Sequence, residues 1–162
     1  MMGRVWRFSD NIDTDALAPG RFMHRPIEEL AANCLVDLSP DFAAQAGQGD
    51  VIVAGRNFGM GSSREQAAQA LKLRGLAGVV AESFAGIFYR NAINLGLPVF
   101  VIASGPLPED GSQATLDVEA ARLRHAGGEV ALEPLPDFLI EMIHDGGLVP
   151  HLEKRLKSEG RK

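Results

Sequence analysis

Apolar residues along this chain come in short runs set off by glycine-rich or polar turns. The run Val51, Ile52, Val53, Ala54 leads straight into a turn built from glycines and hydroxyls. Runs of this length, rich in β-branched residues and bounded by turn residues, read as buried strands. The pattern predicts strands at residues 5–8, 51–54, 79–82 and 97–102. Good helix formers fill residues 64–73, and a second helical stretch covers 86–95. Strand, helix and strand repeated in this way imply parallel pairing with helices on the sheet faces. A turn-rich segment occupies residues 10–26 and a short helical stretch residues 27–34. After a Gly- and Pro-rich connection at 105–112, short antiparallel strands are expected at 115–118, 122–124 and 130–132, with Gly127 and Gly128 as a hairpin turn. Residues 134–147 give a helix with an apolar face through Phe138, Leu139, Met142 and Ile143, and 153–162 form a charged tail that is a solvated helix or frays. The expected architecture is α/β: a mostly parallel sheet flanked by helices, with a small antiparallel C-terminal part. No repeat or long linker divides the chain, so one domain is expected over residues 1–162.

The turn after Val51–Ala54 carries the chemistry. Gly55, Gly59 and Gly61 let the backbone turn tightly, and Ser62, Ser63 and Arg64 stand where the next helix begins. Free N–H groups and the positive dipole end of that helix favour an anion beside the serines. A dinucleotide fingerprint fails because Arg64 occupies the place of the third glycine, although Glu82 imitates the ribose-binding acid. A phosphate-binding P-loop lacks its glycine-lysine pair, and a nucleophile elbow lacks a glycine two places after either serine. The plainer reading is a helix cap: Ser62 with Glu65, or Ser63 with Gln66, makes an S-x-x-E/Q capping box. One helix start uses one cap. The other hydroxyl is then left over beside Arg64, free for chemistry.

Composition narrows the field. The chain has 162 residues, enough for a real core, and a net charge of −5 with no long basic run, which argues against a nucleic-acid footprint. An anionic substrate therefore needs local compensation, for which Arg21, Arg25, Arg56 and Arg64 are available. No apolar run approaches a membrane span, and residues 1–10 contain no apolar export segment, so the cytoplasm is the expected compartment. Cys34 is the lone cysteine, which excludes an internal disulfide and a cysteine-ligated cluster or zinc site within the chain. His125, His144 and His151 share no metal-ligand spacing and read as surface or packing residues.

Three motifs in order, DTD at Asp13, Thr14 and Asp15, GSSRE at Gly61 to Glu65, and SFAGIFYRNA from Ser83, resemble the small subunit of 3-isopropylmalate dehydratase over nearly the whole chain. That family is the detached swivelling β/β/α domain of the aconitase superfamily. The resemblance implies a hydro-lyase acting on a 2-hydroxy di- or tricarboxylic acid, in leucine biosynthesis. It implies a large-subunit partner that carries a 4Fe-4S cluster, with no cofactor bound by this chain. It also implies that Ser62, as an alkoxide, removes a proton from carbon while the cluster iron binds the departing hydroxyl. Ser63 and Arg64 would hold substrate and base, and Asp15 would orient the binding groups. Asp13 looks structural, a turn former whose carboxylate caps local backbone. A guanidinium, free N–H donors and a helix dipole all favour the ionised serine. Arg90, on a helix with an apolar opposite face, reads as a surface or ion-pair residue.

Departures from the family pattern bear on substrate. The loop after DTD sets selectivity, and here it reads Gly20, Arg21, Phe22, Met23, His24, Arg25, Pro26, about one residue shorter than the common form. Phe22 and Met23 suit an isopropyl group, whereas Arg21, His24 and Arg25 suit a polar or carboxylate substituent. Met60 replaces a frequent cysteine and Gln66 a frequent histidine, hinting at a divergent member. A homoaconitase-like enzyme, a methylmalate- or dimethylmalate-type dehydratase and a non-catalytic anion-binding domain stay open beside the isopropylmalate reading, as does self-association of the isolated chain. Retention of both serines with Arg64 favours catalysis, since a binder needs the arginine but not two hydroxyls.

Overall fold

Four parallel strands organise the computed structural model, which describes residues 2–160. They are β1 (Gly3–Arg7), β2 (Val51–Ala54), β3 (Gly78–Ala81) and β4 (Val99–Ser104), paired in that order. Every residue of β2 and β3 is buried, which is why these segments read as continuous apolar runs rather than alternating ones. The connections hold α1 (Thr14–Leu17), a 3-10 turn (Gly20–Phe22), α2 (Ile27–Ala32), α3 (Pro40–Gln45), α4 (Glu65–Leu73) and α5 (Gly86–Asn94). Three further strands follow, β5 (Gln113–Asp117), β6 (Arg122–His125) and β7 (Gly128–Leu132), then α6 (Asp137–His144) and α7 (Leu148–Glu159).

The sheet is not the mostly parallel, helix-flanked one that the sequence predicts. β4 pairs antiparallel with β7, β7 with β6 and β6 with β5, and Gly3 and Arg4 of β1 pair with Ala114 and Gln113 of β5. Seven strands thus close into a mixed barrel in which four of the seven pairings are antiparallel. The C-terminal strands are the closing wall, not a small appendage. An open four-stranded sheet would leave two edges of unpaired N–H and C=O groups, and closure removes both. Hydrophobic periodicity reports which faces are buried and is silent on which edges meet. In the closing wall the strands are covered on one side only: Leu123, Val130 and Leu132 are buried, while Arg124 and Glu129 pair at 3.0 Å on the outside.

Local differences have local causes. Helix α3 lies in a stretch with no predicted element, yet it carries a cap: the Ser39 hydroxyl accepts the Phe42 N–H at 3.1 Å, and Pro40 opens the first turn. It delivers Phe42 edge-on to Trp6, with ring centroids 5.3 Å apart. Helix α6 stops at His144, and the chain turns through Gly146 and Gly147, both at positive φ, so the expected charged tail is the second half of a helix that starts at Leu148. Phe138, expected on the buried face of α6, is 63% exposed, and Met142 and Ile143 do the packing. Met1 lies outside the described residues, as do Arg161 and Lys162 at the end of the segment expected to be a charged tail. Among the described residues no helix is long and apolar enough to cross a membrane.

Candidate functional site

Residues 58–60, in the loop between β2 and α4 at the carboxyl ends of the parallel strands, form isolated parallel bridges with Asp13 and Phe84, in the region where α/β sheets place their ligands. On one side Gly59 N–H donates to Ile12 O at 2.7 Å and Thr14 N–H donates to Met60 O at 2.8 Å. On the other, Phe58 N–H donates to Ser83 O and Ala85 N–H to Phe58 O, each at 3.0 Å. The segment that leads into GSSRE is therefore tied by backbone hydrogen bonds to the chain around the other two motifs. Gly59 makes this possible: its φ is +85°, and a Cβ there would lie 2.2 Å from the Phe88 ring. Phe88 in turn packs edge-on against Phe58 at 5.3 Å, fixing α5 beside the loop.

Neither serine caps α4. The helix begins at Glu65, Arg64 stands at the capping position with extended backbone, and among the described residues no side chain accepts from the first turn. The Ser62 carbonyl instead accepts the Arg64 N–H at 2.8 Å. Capping boxes require the serine at the cap itself, and here the chain is displaced by one and two residues. Both hydroxyls are consequently spare, not one. Helix α5 starts the same way, at Ala85, without a side-chain cap. Two helix N-termini with uncovered N–H groups thus meet at one cleft of about 120 Å³, lined by Thr14, Ser62, Ser63, Arg64, residues 85–88 and Asn91.

Arg64 is aimed by its neighbours. Its Nη1 donates to Asp15 Oδ1 and to Ala18 O, both at 2.9 Å, and among the described residues the remaining guanidinium nitrogens have no protein partner. The Asp15 carboxyl, which also accepts the Gly20 N–H at 3.2 Å, is held below the usual carboxylate range by the Arg64 hydrogen bond and then by that N–H. Asp13 caps α1, accepting the Ala16 N–H at 2.8 Å.

The structure thus brings Ser62, Ser63 and Arg64 together in the cleft, with Asp15 joined to them through Arg64 and, like Arg21, His24 and Arg25, outside the cleft lining. Arg21 grips Asp37 through two bonds of 2.7 and 2.8 Å and lies over the Phe22 ring, so its charge is committed. Arg25 reaches Glu29 only at 4.0 Å and is otherwise exposed, as is His24. Arg56 faces Glu82 at 3.7 Å, and Arg90 is exposed. Sequence reasoning missed Thr14, whose hydroxyl lies 3.4 Å from Ser62 Oγ, and Asn91. A signal existed for Asn91: it follows Ile87 and Phe88 at four and three residues, the spacing of one helix face.

A second polar cluster joins α6 to α7. His151, 8% exposed, hydrogen-bonds Asp145 at 2.7 Å, and Glu141 completes a group whose ligand-type atoms lie within 4.8 Å of one another. Lys154 already contacts the other Asp145 oxygen at 3.1 Å, so the carboxylate has a cation supplied by the chain.

Comparison with known proteins sets this geometry in a family. The Aconitase C-terminal domain matches residues 27–103. The methanogen homoaconitase small subunit of Methanothermobacter thermautotrophicus is 48% identical over 95% of this chain and 91% of its own length. The 3-isopropylmalate dehydratase small subunit 1 of Thermotoga maritima is 47% identical over 94% of each. The chain belongs to the family of 3-isopropylmalate dehydratase small subunits. A crystal structure of a family member, 3-isopropylmalate dehydratase (leuD) from Methanocaldococcus jannaschii, superposes with a TM-score of 0.91 at 38% identity, over 99% of this chain and 97% of that one. The family extends across the barrel and both terminal segments, not only the three motifs.

Proposed function

We propose that this chain is the small subunit of a heteromeric hydro-lyase of the 3-isopropylmalate dehydratase type, supplying the proton-transfer and carboxylate-binding half of a shared active site. The observation that carries the reading is the cleft itself: two spare hydroxyls and a guanidinium at two uncapped helix N-termini, in about 120 Å³ of space. Complete small-molecule sites run to roughly 300 Å³ or more, so this one is a half-site that needs a second wall. Family membership supports a large subunit as that wall.

A 4Fe-4S cluster does not fit the donors of this chain. Cys34 is fully buried, and burial pushes its thiol up to about 12, far from the thiolate that iron needs. The cluster is assigned to the partner, and loss of the hydroxyl with it. What this chain contributes is local. Arg64, steadied by Asp15, and the N–H groups opening α4 and α5 bind a substrate carboxylate. Ser62 Oγ takes the proton from the adjacent carbon, leaving its electron pair delocalised into that carboxylate, and returns it in the reverse direction. Ser63 sits beside it to hold the same carboxylate. The substrate is a 2-hydroxy acid with carboxylates, and its side group is read by the loop of residues 20–26, tied to the cleft through the Gly20 bond to Asp15.

The test is copurification. Co-expressed with the large subunit of the same organism, the chain should enter a stable complex that dehydrates 3-isopropylmalate or a tricarboxylic analogue, whereas the chain alone should bind no iron and turn over neither. Turnover by the isolated chain, or stoichiometric iron in it, overturns the half-site reading.

A further inference from the structure

We propose that Thr14 is a positioning residue for Ser62, holding its Oγ in the cleft and donating to it once it is ionised; this rests on the reading of Ser62 as the base. Thr14 opens α1 and is 3% exposed, although its side chain is polar. Its N–H is pinned to Met60 O at 2.8 Å, which fixes it against the serine loop. Its hydroxyl lies 3.4 Å from Ser62 Oγ, and among the described residues that is its one hydrogen-bond partner. Gly61 keeps the approach open. At φ +106° a Cβ on residue 61 would stand 3.1 Å from Thr14 Oγ1, crowding the hydroxyl that faces Ser62.

Protonation sets the direction of the bond. With both hydroxyls neutral, either can donate. An ionised Ser62 has no proton, so the Thr14 O–H becomes the donor, and a bond to an ionised acceptor is shorter and roughly twice as strong as a neutral one. The contact therefore favours the charged form of Ser62 over the neutral form, the direction that a serine base requires. The separation of 3.4 Å is long for a bond between two hydroxyls, and a charge on Ser62 would shorten it. Adjacent residues in the first turn of α1 then serve the two groups separately, Thr14 addressing Ser62 and Asp15 addressing Arg64.

The experiment compares Thr14→Val, which keeps the shape and deletes the hydroxyl, with Thr14→Ser, which keeps the hydroxyl. Both are measured in the assembled complex on 3-isopropylmalate, or on the tricarboxylic analogue if wild type prefers it. For Thr14→Val we expect kcat to fall on the order of 10²-fold, the scale for losing one donor to a developing oxyanion. KM and subunit assembly should hold, and the rising limb of the kcat–pH profile should move to higher pH. Thr14→Ser should recover both kcat and the limb. A purely structural threonine would lower Tm or assembly without moving the limb, and that result overturns the proposal. So does wild-type kcat in Thr14→Val while Ser62→Ala is inactive, an outcome that leaves the serine base standing. Should Thr14→Val fail to assemble, Thr14→Ala is judged by the same pH limb.

Discussion

Replacing Ser62 by alanine separates the two roles that a serine near a helix start can have. If Ser62 capped α4, losing it would cost about 1 kcal/mol. For a domain of this size that is roughly 2–4 °C in Tm. The structure gives a different figure. Arg64 holds the capping position, and among the described residues no side chain accepts from the first turn and the Ser62 hydroxyl bonds only Thr14, at 3.4 Å, beside a cleft of about 120 Å³. Stability should therefore change by no more than about 0.5 kcal/mol, the ordinary range for a surface substitution. Catalysis should suffer far more, since a positioned base contributes about 10²–10⁴-fold, or roughly 3–5 kcal/mol at 1.36 per factor of ten. The assay pairs thermal unfolding of the chain alone with steady-state kinetics of the complex, after gel filtration shows equal assembly. A Tm drop of several degrees with turnover near wild type would refute the reasoning and return Ser62 to the role of a cap.

Three other outcomes are expected. Arg25→Ala should impair a tricarboxylic or polar-substituted substrate by about 2 kcal/mol or more while sparing an apolar-substituted malate, because its 4.0 Å contact with Glu29 leaves the guanidinium free to meet a carboxylate; equal specificity ratios in wild type and variant would show that Arg25 does not read the substrate. Asp145 is held below the usual carboxylate value by His151 and then Lys154, so its contribution to stability is complete above the ordinary carboxylate pKa and is lost as pH falls through the lowered one. The Tm gap between wild type and Asp145→Asn should accordingly close as pH falls below about pH 4, and a gap that persists undiminished in strong acid would contradict the pairing. Cys34, buried with its thiol raised to about 12, should resist thiol reagents at neutral pH until the chain unfolds, as a colorimetric thiol titration with and without denaturant would show.

The features legible in the sequence are those that depend on local residue types. β2, β3, α4 and α5 fall within a residue or two of their predicted bounds, because buried β-branched runs and stretches of helix formers are local signals. The motifs that mark the cleft are equally visible, since Gly59, Gly61 and the serines must be those residue types wherever the loop lies. Whatever depends on partners distant along the chain was settled by the folded arrangement instead. Whether Ser62 caps α4 turns on where the folded chain starts the helix, and Arg64, not either serine, takes the extended capping position. Whether Arg21 is free to meet an anion turns on Asp37, and whether Arg64 is aimed turns on Asp15. The same holds for the sheet. The alternation in β5 to β7 shows that one face is buried, but closure into a barrel needs Gly3 and Arg4 to find Ala114 and Gln113. Edge pairing is backbone hydrogen bonding, available to almost any residue, so it leaves no mark in the side chains that a sequence records.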